Sequence, residues 1–504
     1  MGLSGLDIAL LSPEIAMVVF ALVVIFSGLK WPNSSISVYT FLLATAVSIC
    51  LSVFLWLRVE SNGPEMFMND SLIADHYAIF FKCLILTAIA LIILVSKSSF
   101  TEFNQRAEFV GLAMLSSVGL MLLPSAADLI TIFVAIELAS LPIVVLAAFS
   151  THEGKSGESG LKFLVLSAIS SALLLYGFAF FYGASGTLQV LSLDSSNPTI
   201  SEMLVSLDND IPFGSIPILI ATILSVSGLG FKLSIVPFQM WTPDVYEGAP
   251  TTVGAMLSVA SKAAGFALLL RVLYTVLNHE MISDDWSLLL AILAAITMSI
   301  GNLVAIVQKD LKRLLAYSAI AQAGYVLVGV ASFADFGGKQ ISYELGPESV
   351  LFYLTGYAAM NVAAFSVVIL TVYRNQTSEI KSLEGLGASS PLLAGVLSVS
   401  LLALVGVPPT VGFMGKFFIF NAAVNADLAW LAIIGVINSA ISAYYYLNII
   451  KIMYLRSPSI SGGNWRIALS SSLVLVITAG ATLILGILPQ PLLDLVGEAS
   501  LSII

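Results

Sequence analysis

The sequence predicts an all-α, polytopic membrane protein with about fourteen transmembrane helices. Hydrophobic residues make up 58% of the 504 positions and charged residues only 10%, whereas a soluble domain carries about 25% charged residues. The 20 basic and 30 acidic side chains are too few to cover the surface of a soluble fold of this length. This composition excludes the soluble classes and predicts a chain surrounded by the lipid bilayer.

Fourteen apolar runs are each long enough to cross a bilayer, which requires about 20 mostly apolar residues. The first run follows no basic segment and precedes no small-residue cleavage site, so it is predicted to be a span and not a cleavable signal. An even number of spans places both termini on the same side. The predicted limits are 8–29, 37–57, 77–95, 109–124, 128–149, 161–183, 215–241, 250–276, 286–308, 314–333, 350–372, 391–425, 429–454 and 467–488.

The basic residues between the spans are distributed unevenly. If the N-terminus lies outside, thirteen of them fall in inner connections and two, Arg58 and Lys339, in outer connections. Because positively charged loops stay on the cytoplasmic side, the sequence predicts both termini on the outer side of a bacterial cell membrane. The thirteen inner residues are Lys30, Lys97, Arg106, Lys155, Lys162, Lys309, Lys312, Arg313, Arg374, Lys381, Lys451, Arg456 and Arg466.

The residues that usually hold cofactors are sparse. Cys50 and Cys83 both lie in or beside apolar runs, so neither a disulfide framework nor a four-cysteine metal site is predicted. His76, His152 and His279 fall between spans, which leaves no pair of intramembrane histidines for haem. No GxGxxG or P-loop motif occurs, and no basic patch suggests nucleic acid. The sequence therefore predicts neither a cofactor, a metal nor a nucleic-acid partner on this chain.

Five basic residues fall inside the predicted spans. Lys82 and Arg271 lie within about two turns of the outer ends of their helices, and long basic side chains can extend to the headgroups from there. The simple interpretation for these two residues is therefore a position at the membrane surface. The other three are Lys232, Lys262 and Lys416.

Two charged residues lie at the centres of their spans. Lys262 follows Pro250 by twelve residues within LSVASKAAGFALLL, and Glu137 lies within LITIFVAIELASLPIVVLAAF. A lysine or glutamate at a helix centre costs about 3 kcal/mol, so each needs a partner, a hydrated cavity or both. A static ion pair between helices is one interpretation, but a buried pair adds little stability. Several ionisable groups at one depth favour a proton relay.

Two spans are interrupted by proline. The seventh reads GLGFKLSIVPFQMWTPDVYEGAP, with Lys232 five residues before Pro237, and the twelfth reads LALVGVPPTVGFMGKFFIF, with Pro408 and Pro409 before Lys416. Proline removes a backbone donor and clashes with the preceding turn, so both helices are expected to unwind there. Free backbone groups within a membrane occur only inside protein or beside a wet cavity. A lysine beside each break favours an ion pathway over a simple kink.

The two interrupted spans lie five spans apart and therefore cross the membrane in opposite directions. This offset predicts two inverted five-helix repeats, helices 4–8 and 9–13, each containing one broken helix, as in many transporters. The repeats rest on hydropathy and topology, because the registers of lysine and proline differ between them. The predicted divisions are 1–108 for helices 1–3, 109–276 and 286–454 for the two repeats, and 467–504 for helix 14.

Five segments of the chain carry a family resemblance. They are IELASLP, GFKLSIVPFQMWTPDVYEGAPT, SVASKAAGF, QKDLKRLLAYSAIAQAGY and VPPTVGFMGKF. In the same order and at the same depths, they resemble the antiporter-like membrane subunits of respiratory complex I, over residues from about 110 to 455. Within that group the chain is most similar to the N-type subunits of bacterial NADH-quinone oxidoreductase. The span count, the wording WTPDVYEGAP and Lys416, where M-type subunits typically carry Glu, indicate this type.

The resemblance implies a role for four residues. Glu137 matches the family's helix-5 glutamate, and Lys232 matches the helix-7 lysine that pairs with it. Lys262 matches the central lysine of helix 8, and Lys416 matches the helix-12 lysine near the exit. In the family these groups line a hydrated axis at the middle of the membrane. Quinone reduction elsewhere changes the pairing of Glu137 with Lys232, which moves the proton towards Lys262 and Lys416.

Helix 10 carries polar residues beside this axis. Tyr317, Ser318, Gln322 and Tyr325 fit the support of a connecting water chain, and they fit ordinary interhelical hydrogen bonding equally well. No histidine lies in spans 8 to 11. A histidine-based relay step is therefore not expected in this chain.

Three acidic residues lie near the ends of spans. Asp244 and Glu247 are predicted in the inner loop after the broken helix, where they either line a proton entrance or act as solvated loop charges. Asp128 begins span 5 and is predicted to be its N-cap and not a member of the relay.

The resemblance implies a pump module without redox chemistry of its own. The expected partners are other membrane-arm subunits of complex I, of the K, M, L, J, A and H types, together with a peripheral redox arm. FMN, iron–sulfur clusters and quinone are expected on those subunits. A subunit of an Mrp-type cation/proton antiporter and a ferredoxin- or hydrogenase-linked relative are the alternatives. A stand-alone solute permease would need a roomy polar pocket at mid-membrane, and the spans supply none.

Overall fold

The fold comes from a computed structural model, which describes residues 4–31, 36–102, 105–150, 152–194, 196–207, 216–277, 280–333, 345–457 and 467–503. His279, Lys339 and Arg466 lie outside the described residues. Within the described part the chain is helical apart from one short hairpin and the connections. The hairpin pairs two antiparallel strands, β1 (Glu65–Phe67) and β2 (Leu72–Ala74).

The α-helices follow one another along the described residues in a single series. They are α1 Gly5–Leu10, α2 Ser12–Lys30, α3 Ile36–Asn62, α4 His76–Ser96, α5 Arg106–Leu122, α6 Leu129–Ala147, α7 Gly154–Ser185, α8 Ile200–Leu207, α9 Ile216–Leu233, α10 Trp241–Gly248, α11 Thr251–Met256, α12 Lys262–Val276, α13 Glu280–Ala305, α14 Leu311–Ala331, α15 Leu345–Asn375, α16 Leu386–Ser389, α17 Pro391–Val405, α18 Val411–Asn425, α19 Ala429–Leu455, α20 Leu469–Ile487 and α21 Gln490–Leu501. A π-helical turn, Leu257–Ser261, joins α11 to α12.

Thirteen helical segments of the described chain are long and apolar enough to cross a membrane. The predicted span 391–425 is divided into α17 and α18, which have 15 residues each. A 15-residue helix is only about 22 Å long at 1.5 Å per residue, less than the thickness of the hydrocarbon layer. The all-α polytopic architecture that the composition predicts is confirmed.

Aspartate side chains start three of these helices. Asp75 before α4, Asp128 before α6 and Asp310 before α14 each accept a hydrogen bond from a backbone N–H two or three residues later. Such a bond satisfies a donor that has no partner within the helix. The N-cap role predicted for Asp128 is confirmed.

The first interruption lies in the seventh predicted span. α9 ends at Leu233, Ser234 adopts a left-handed φ of 62°, and the chain passes Pro237 before α10 begins at Trp241. Pro237 has no N–H with which to continue the helical hydrogen bonds. The carbonyl of Leu233 is therefore left without a partner inside its own helix.

The second interruption separates α17 from α18. α17 ends at Val405, Gly406 adopts a left-handed φ of 96°, and Pro408 and Pro409 follow before α18 begins at Val411. Glycine suits this turn because a residue with a Cβ is strained at such a φ. The last carbonyl groups of α17 therefore end inside the protein without helical partners.

The middle of the bundle is formed by the helices that contact other helices on all sides. In the most apolar 18-residue stretch of Thr251–Val276, every residue is buried inside the protein, and in that of α14 94% of the residues are buried. In the corresponding stretches of α7 and α20, only 28% of the residues are buried. The π-helical turn and Lys262 therefore lie at the centre, and α7 and α20 present most of their surface outward.

Two basic residues differ from the prediction. Lys82 and Arg271 are fully buried and do not extend to the membrane surface, so the prediction for both was wrong. Nζ of Lys82 lies 2.8 Å from a carboxylate oxygen of Glu14, and Nη1 of Arg271 lies 2.7 Å from Asp75. A carboxylate on a neighbouring helix compensates each charge, so neither side chain has to reach water.

The segment after the first break also differs from the prediction. Asp244 and Glu247 lie in α10, not in a loop. Pro243 is the third residue of α10, and proline is tolerated in a first turn because those N–H groups have no partner anyway. Seven residues separate the end of α9 from the start of α10, which carries both carboxylates.

Candidate functional site

Lys262 is the first residue of α12, directly after the π-helical turn. Its side chain is 2% exposed. Nζ donates to the carbonyl of Ala319 on α14, at 2.5 Å, and to the carbonyl of Leu233, at 3.3 Å. Leu233 ends α9, and the C-terminal end of a helix favours a cation. The ammonium of Lys262 thus takes the carbonyl that the first break leaves free.

Lys416 has the same kind of environment at the second break. It lies on α18 and is 4% exposed. Nζ donates to the carbonyls of Leu404 and Val405, each at 3.0 Å, and to Oγ of Ser439 at 3.1 Å. Leu404 and Val405 are the last residues of α17. Each interrupted helix therefore ends on the ammonium of a buried lysine.

Helix α14 connects the two lysines. Ala319, which accepts from Lys262, lies on the same helix as Gln322, three residues later. Nε2 of Gln322 donates to the carbonyl of Leu404 at 3.1 Å, and Lys416 donates to that same carbonyl. The two ammonium groups are thus linked through the polar side of one buried helix.

The four polar residues predicted on the tenth span lie on α14, and they do not all join this network. Gln322 accepts from the hydroxyl of Tyr353, Ser318 is hydrogen-bonded to Tyr446, and the ring of Tyr325 lies 4.1 Å from Nζ of Lys416. Tyr317 is only half-buried and packs against the apolar core. Three of the four therefore belong to the hydrogen-bonded surroundings of Lys416 and α14.

The network behind Tyr325 could not be predicted in detail from the sequence. The Tyr325 hydroxyl accepts from Nδ2 of Asn302 at 3.3 Å and from Ser439 at 3.4 Å, and the hydroxyl of Tyr445 donates to Asn302 at 2.9 Å. Nδ2 of Asn302 also donates to Asn438, at 3.3 Å. The available signal was Asn302 in the ninth predicted span and Asn438 in the thirteenth, which also contains Asn448.

Glu137 and Lys232 do not form a direct ion pair within the described residues. Nζ of Lys232 donates to Oγ of Ser140 at 2.7 Å, and the carboxylate of Glu137 accepts from the hydroxyl of Ser171. Ser140 is one turn after Glu137 on α6. Hydroxyl groups therefore stand where the family resemblance implies a contact between the two charges.

A small cavity of about 20 Å³ lies beside Lys232. That volume accommodates about one water molecule, and the polar lining supplies partners for it. Span 6 contains the segment SAISSA, which was the sequence signal for this lining. The serines around the cavity are Ser140, Ser167, Ser170, Ser171 and Ser261.

A cluster of charges lies at the end of the bundle where α7 and α14 begin. Asp244 accepts from Lys162 at 2.8 Å and from Arg313 at 2.9 Å. Glu247 accepts from Lys155 at 2.8 Å and from the same Nη1 of Arg313 at 2.9 Å. A cavity of about 180 Å³ lies among these side chains. The predicted entrance residues therefore border a cavity that is large enough for several water molecules. Each carboxylate, however, already accepts hydrogen bonds from two basic side chains.

Metal-ligand geometry is absent from the described residues, where no group of three or more His, Cys, Asp or Glu side chains is placed to hold an ion. The polar groups instead form one series: two interrupted helices, the buried Lys262 and Lys416, the half-buried Lys232 and the hydrogen-bonded residues between them. This arrangement defines a polytopic subunit of the antiporter-like class. The family model described as NADH:quinone oxidoreductase/Mrp antiporter, TM, matches residues 126–442, and the chain belongs to this family.

Individual relatives match this chain over nearly its whole length. It is 38% identical to NADH-quinone oxidoreductase subunit N of Desulfitobacterium hafniense, over 99% of both chains. A chain of respiratory complex I from Thermus thermophilus with bound aureothin is 29% identical, with a TM-score of 0.76 over 96% of this chain and 98% of that chain. A chain of the Mrp complex from Dietzia, 19% identical with a TM-score of 0.85 over 99% and 98%, shares the fold. The resemblance inferred from the motifs is confirmed.

Proposed function

We propose that this chain is the N-type, proton-translocating membrane subunit of a complex I-type NADH-quinone oxidoreductase. The relatives with this name support the assignment over the whole length. The observation that carries it in this molecule is the environment of Lys262 and Lys416. Both ammonium groups are buried on backbone carbonyls, without a carboxylate at ion-pair distance among the described residues.

Such an environment allows the lysine ammonium group to release its proton. When Lys262 gives up its proton, it leaves a neutral amine beside neutral carbonyls, so no buried charge is left without a partner. Lysine also changes its proton affinity readily with its surroundings. We therefore assign Lys262 and Lys416 as successive proton carriers, with α14 supplying Gln322 and Tyr325 between them.

Lys232 and Glu137 act before these carriers in the proposal. Lys232 immediately precedes Leu233, whose carbonyl accepts from Lys262, so movement at the end of α9 changes both lysines together. Ser140 and Ser171 separate the Glu137 carboxylate from the Lys232 ammonium. Redox energy from quinone reduction on other subunits would bring these two charges together or apart, and the separation would drive the proton onward.

The remaining parts of the assignment concern the complex around the chain. FMN, the iron–sulfur clusters and quinone are placed on other subunits, and this chain carries out no redox step. Its partners are the K, M, L, J, A and H types of membrane subunit and the peripheral redox arm. The complex lies in the bacterial cell membrane, with both termini of this chain on the outer side.

The two inverted repeats, 109–276 and 286–454, belong to the same proposal. Each proposed repeat contains one interrupted helix, α9 with α10 in the first and α17 with α18 in the second. In each, the C-terminal end of a half-helix accepts hydrogen bonds from a buried lysine. Similar physics at both breaks supports a common origin for the two halves.

A test of the proposed function uses Glu137→Gln and Lys232→Met in the assembled complex in inverted membrane vesicles. We expect the initial rate of proton uptake driven by quinone reduction to fall by about tenfold or more in each, because a positioned proton donor contributes about 10²-fold or more. Glu60→Gln and Lys451→Met change exposed residues and are the matched controls. Proton uptake at the unaltered rate in both test variants would overturn the assignment.

Co-purification separates the alternatives. Flavin and iron–sulfur subunits recovered with the chain support the redox complex. Their replacement by antiporter subunits alone would instead identify an Mrp-type cation/proton antiporter. Replacement of the NADH-oxidising subunits by a hydrogenase or a ferredoxin-oxidising subunit would identify the ferredoxin- or hydrogenase-linked relative of complex I.

A further inference from the structure

A third lysine ends a half-helix. Lys312 is the second residue of α14, its side chain is 9% exposed, and its Nζ donates to the carbonyl of Ala249 at 3.1 Å. Ala249 is the C-cap of α10, the second half of the first interrupted helix. No carboxylate lies at ion-pair distance from Lys312 among the described residues. Like Lys262 and Lys416, it therefore donates to a backbone carbonyl at the end of a half-helix.

Lys312 differs from those two in its access to water. It lines a cavity of about 330 Å³, which is large enough for several water molecules. The cavity lies where α7 begins, where α10 meets α11 and where α15 ends. Its polar lining includes Glu153, Glu247, Thr251, Thr252, Gln376 and Ser378.

Polar side chains occur at intervals between this cavity and Lys262. Thr252, at the cavity, and Lys262 lie on one continuous helical run, ten residues and therefore about 15 Å apart. Ser258 lies between them in the π-helical turn, four residues before Lys262. Its hydroxyl lies 3.0 Å from the hydroxyl of Tyr357, and Asn361 donates to both, at 2.8 Å to Tyr357.

The charge cluster, of which Lys155 and Glu247 also line this cavity, is less suited to take up protons. Asp244 and Glu247 are each held by two basic side chains, so a proton arriving on either carboxylate would break two ion pairs. Lys312 has no such pair to break. Its amine borders the larger cavity together with Glu153 and Glu247, and no carboxylate lies at ion-pair distance from it among the described residues.

We propose that Lys312 is the proton-loading residue of this subunit. The neutral amine of Lys312 takes a proton from a hydronium ion in the cavity, which leaves water and an ammonium. In the proposal that ammonium then releases the proton to water, through which it reaches the hydroxyl groups of Ser258 and Tyr357, where each group accepts one proton as it releases another. The neutral amine of Lys262 receives the proton at the end, and Lys312 returns to its neutral state. This inference rests on the proposed function.

The test measures proton uptake by the assembled complex in inverted vesicles for Lys312→Met and Lys312→Arg. We expect both rates to fall by about tenfold or more, because neither side chain can exchange a proton in the working range. Lys309→Met, which changes an exposed residue of the same connection, is the control and should keep the original rate. Lys262→Met is measured in parallel as the reference for the proposed function.

Each outcome decides one question. If Lys312→Arg keeps the original rate, a fixed cation on Ala249 is sufficient, and Lys312 has a structural role instead. If Lys312→Met does not assemble, Lys312→Arg alone gives the answer. If both Lys312 variants pump normally while Lys262→Met does not, only the loading role is wrong. If Lys262→Met also pumps normally, the proposed function itself is wrong.

Discussion

Two groups of charged side chains are buried to a similar degree in this molecule, but they have different partners. Arg271 contacts Asp75 through two parallel hydrogen bonds, and the carbonyl of Pro124 accepts two more. Lys262 and Lys416 donate to carbonyls and a hydroxyl only. The paired charges are Arg271 with Asp75 and Lys82 with Glu14, and the unpaired lysines are Lys262 and Lys416.

The difference lies in what remains when a proton or a partner is removed. Without Asp75, the guanidinium of Arg271 would be a buried charge with no compensation, and such a state is strongly unfavourable. Without its proton, Lys262 is a neutral amine beside neutral carbonyls. The paired charges therefore hold helices in place, whereas the unpaired lysines can change charge while the fold stays intact.

The largest expected effect on stability is that of breaking the Arg271–Asp75 pair. Asp75→Asn or Arg271→Met should lower the free energy of unfolding by about 3–5 kcal/mol, because each leaves one buried charge unpaired. Asp75 also caps α4, so its loss affects the start of that helix as well. The measurement is the temperature at which the chain dissociates from the purified complex.

The double variant is the control for this prediction. Asp75→Asn combined with Arg271→Met removes both charges and should recover part of the lost stability, because no unpaired charge remains. Single variants that dissociate at the original temperature would show that the pair contributes nothing, and the contrast with the unpaired lysines would lose its basis.

Features of the molecule that depend on local chemistry could be predicted from the sequence. Pro237, Pro408 and Pro409 act through local chemistry, because a proline offers no N–H to the carbonyl four residues before it, although α6 continues through Pro142. The cap at Asp128 is local for the same reason. The breaks, the cap and the burial of Lys262 could therefore be predicted from short stretches of sequence.

The partners of the buried charges depend on contacts between distant segments. Asp75 is 196 residues before Arg271, and no local pattern connects the two positions. A basic residue near a helix end therefore looked like one that reaches the surface. The π-helical turn before Lys262 and the helix at Asp244 were missed similarly, because packing against neighbouring helices determines both conformations.

Replacing an unpaired lysine should have a smaller effect on stability and a larger one on transport. Lys416→Met leaves the carbonyl of Val405 without its donor, at a cost of about 1–3 kcal/mol, whereas the carbonyl of Leu404 keeps the hydrogen bond from Gln322. The variant also removes a buried charge, whose desolvation costs several kcal/mol. These effects offset, so the dissociation temperature should change little. Proton uptake by the assembled complex should fall by about tenfold or more.

Lys451→Met, at an exposed position on α19, is the control for Lys416→Met and should change neither quantity. A loss of stability as large as that of Asp75→Asn would assign Lys416 to the group of structural charges. The functional distinction between the paired charges and the unpaired lysines would then be wrong at the second break.

The smallest expected effect is that of Tyr325→Phe, which separates the ring of Tyr325 from its hydroxyl. The ring lies 4.1 Å from Nζ of Lys416 and is kept in the variant. The lost hydrogen bonds, at 3.3 and 3.4 Å, are long, so the free energy of unfolding should change by less than about 1 kcal/mol. Tyr325→Leu also removes the cation–π contact, worth about 0.5–2 kcal/mol, and should lower both stability and proton uptake further. Equal losses of proton uptake in the two variants would make the hydroxyl, and not the ring, the group that supports the unpaired lysine.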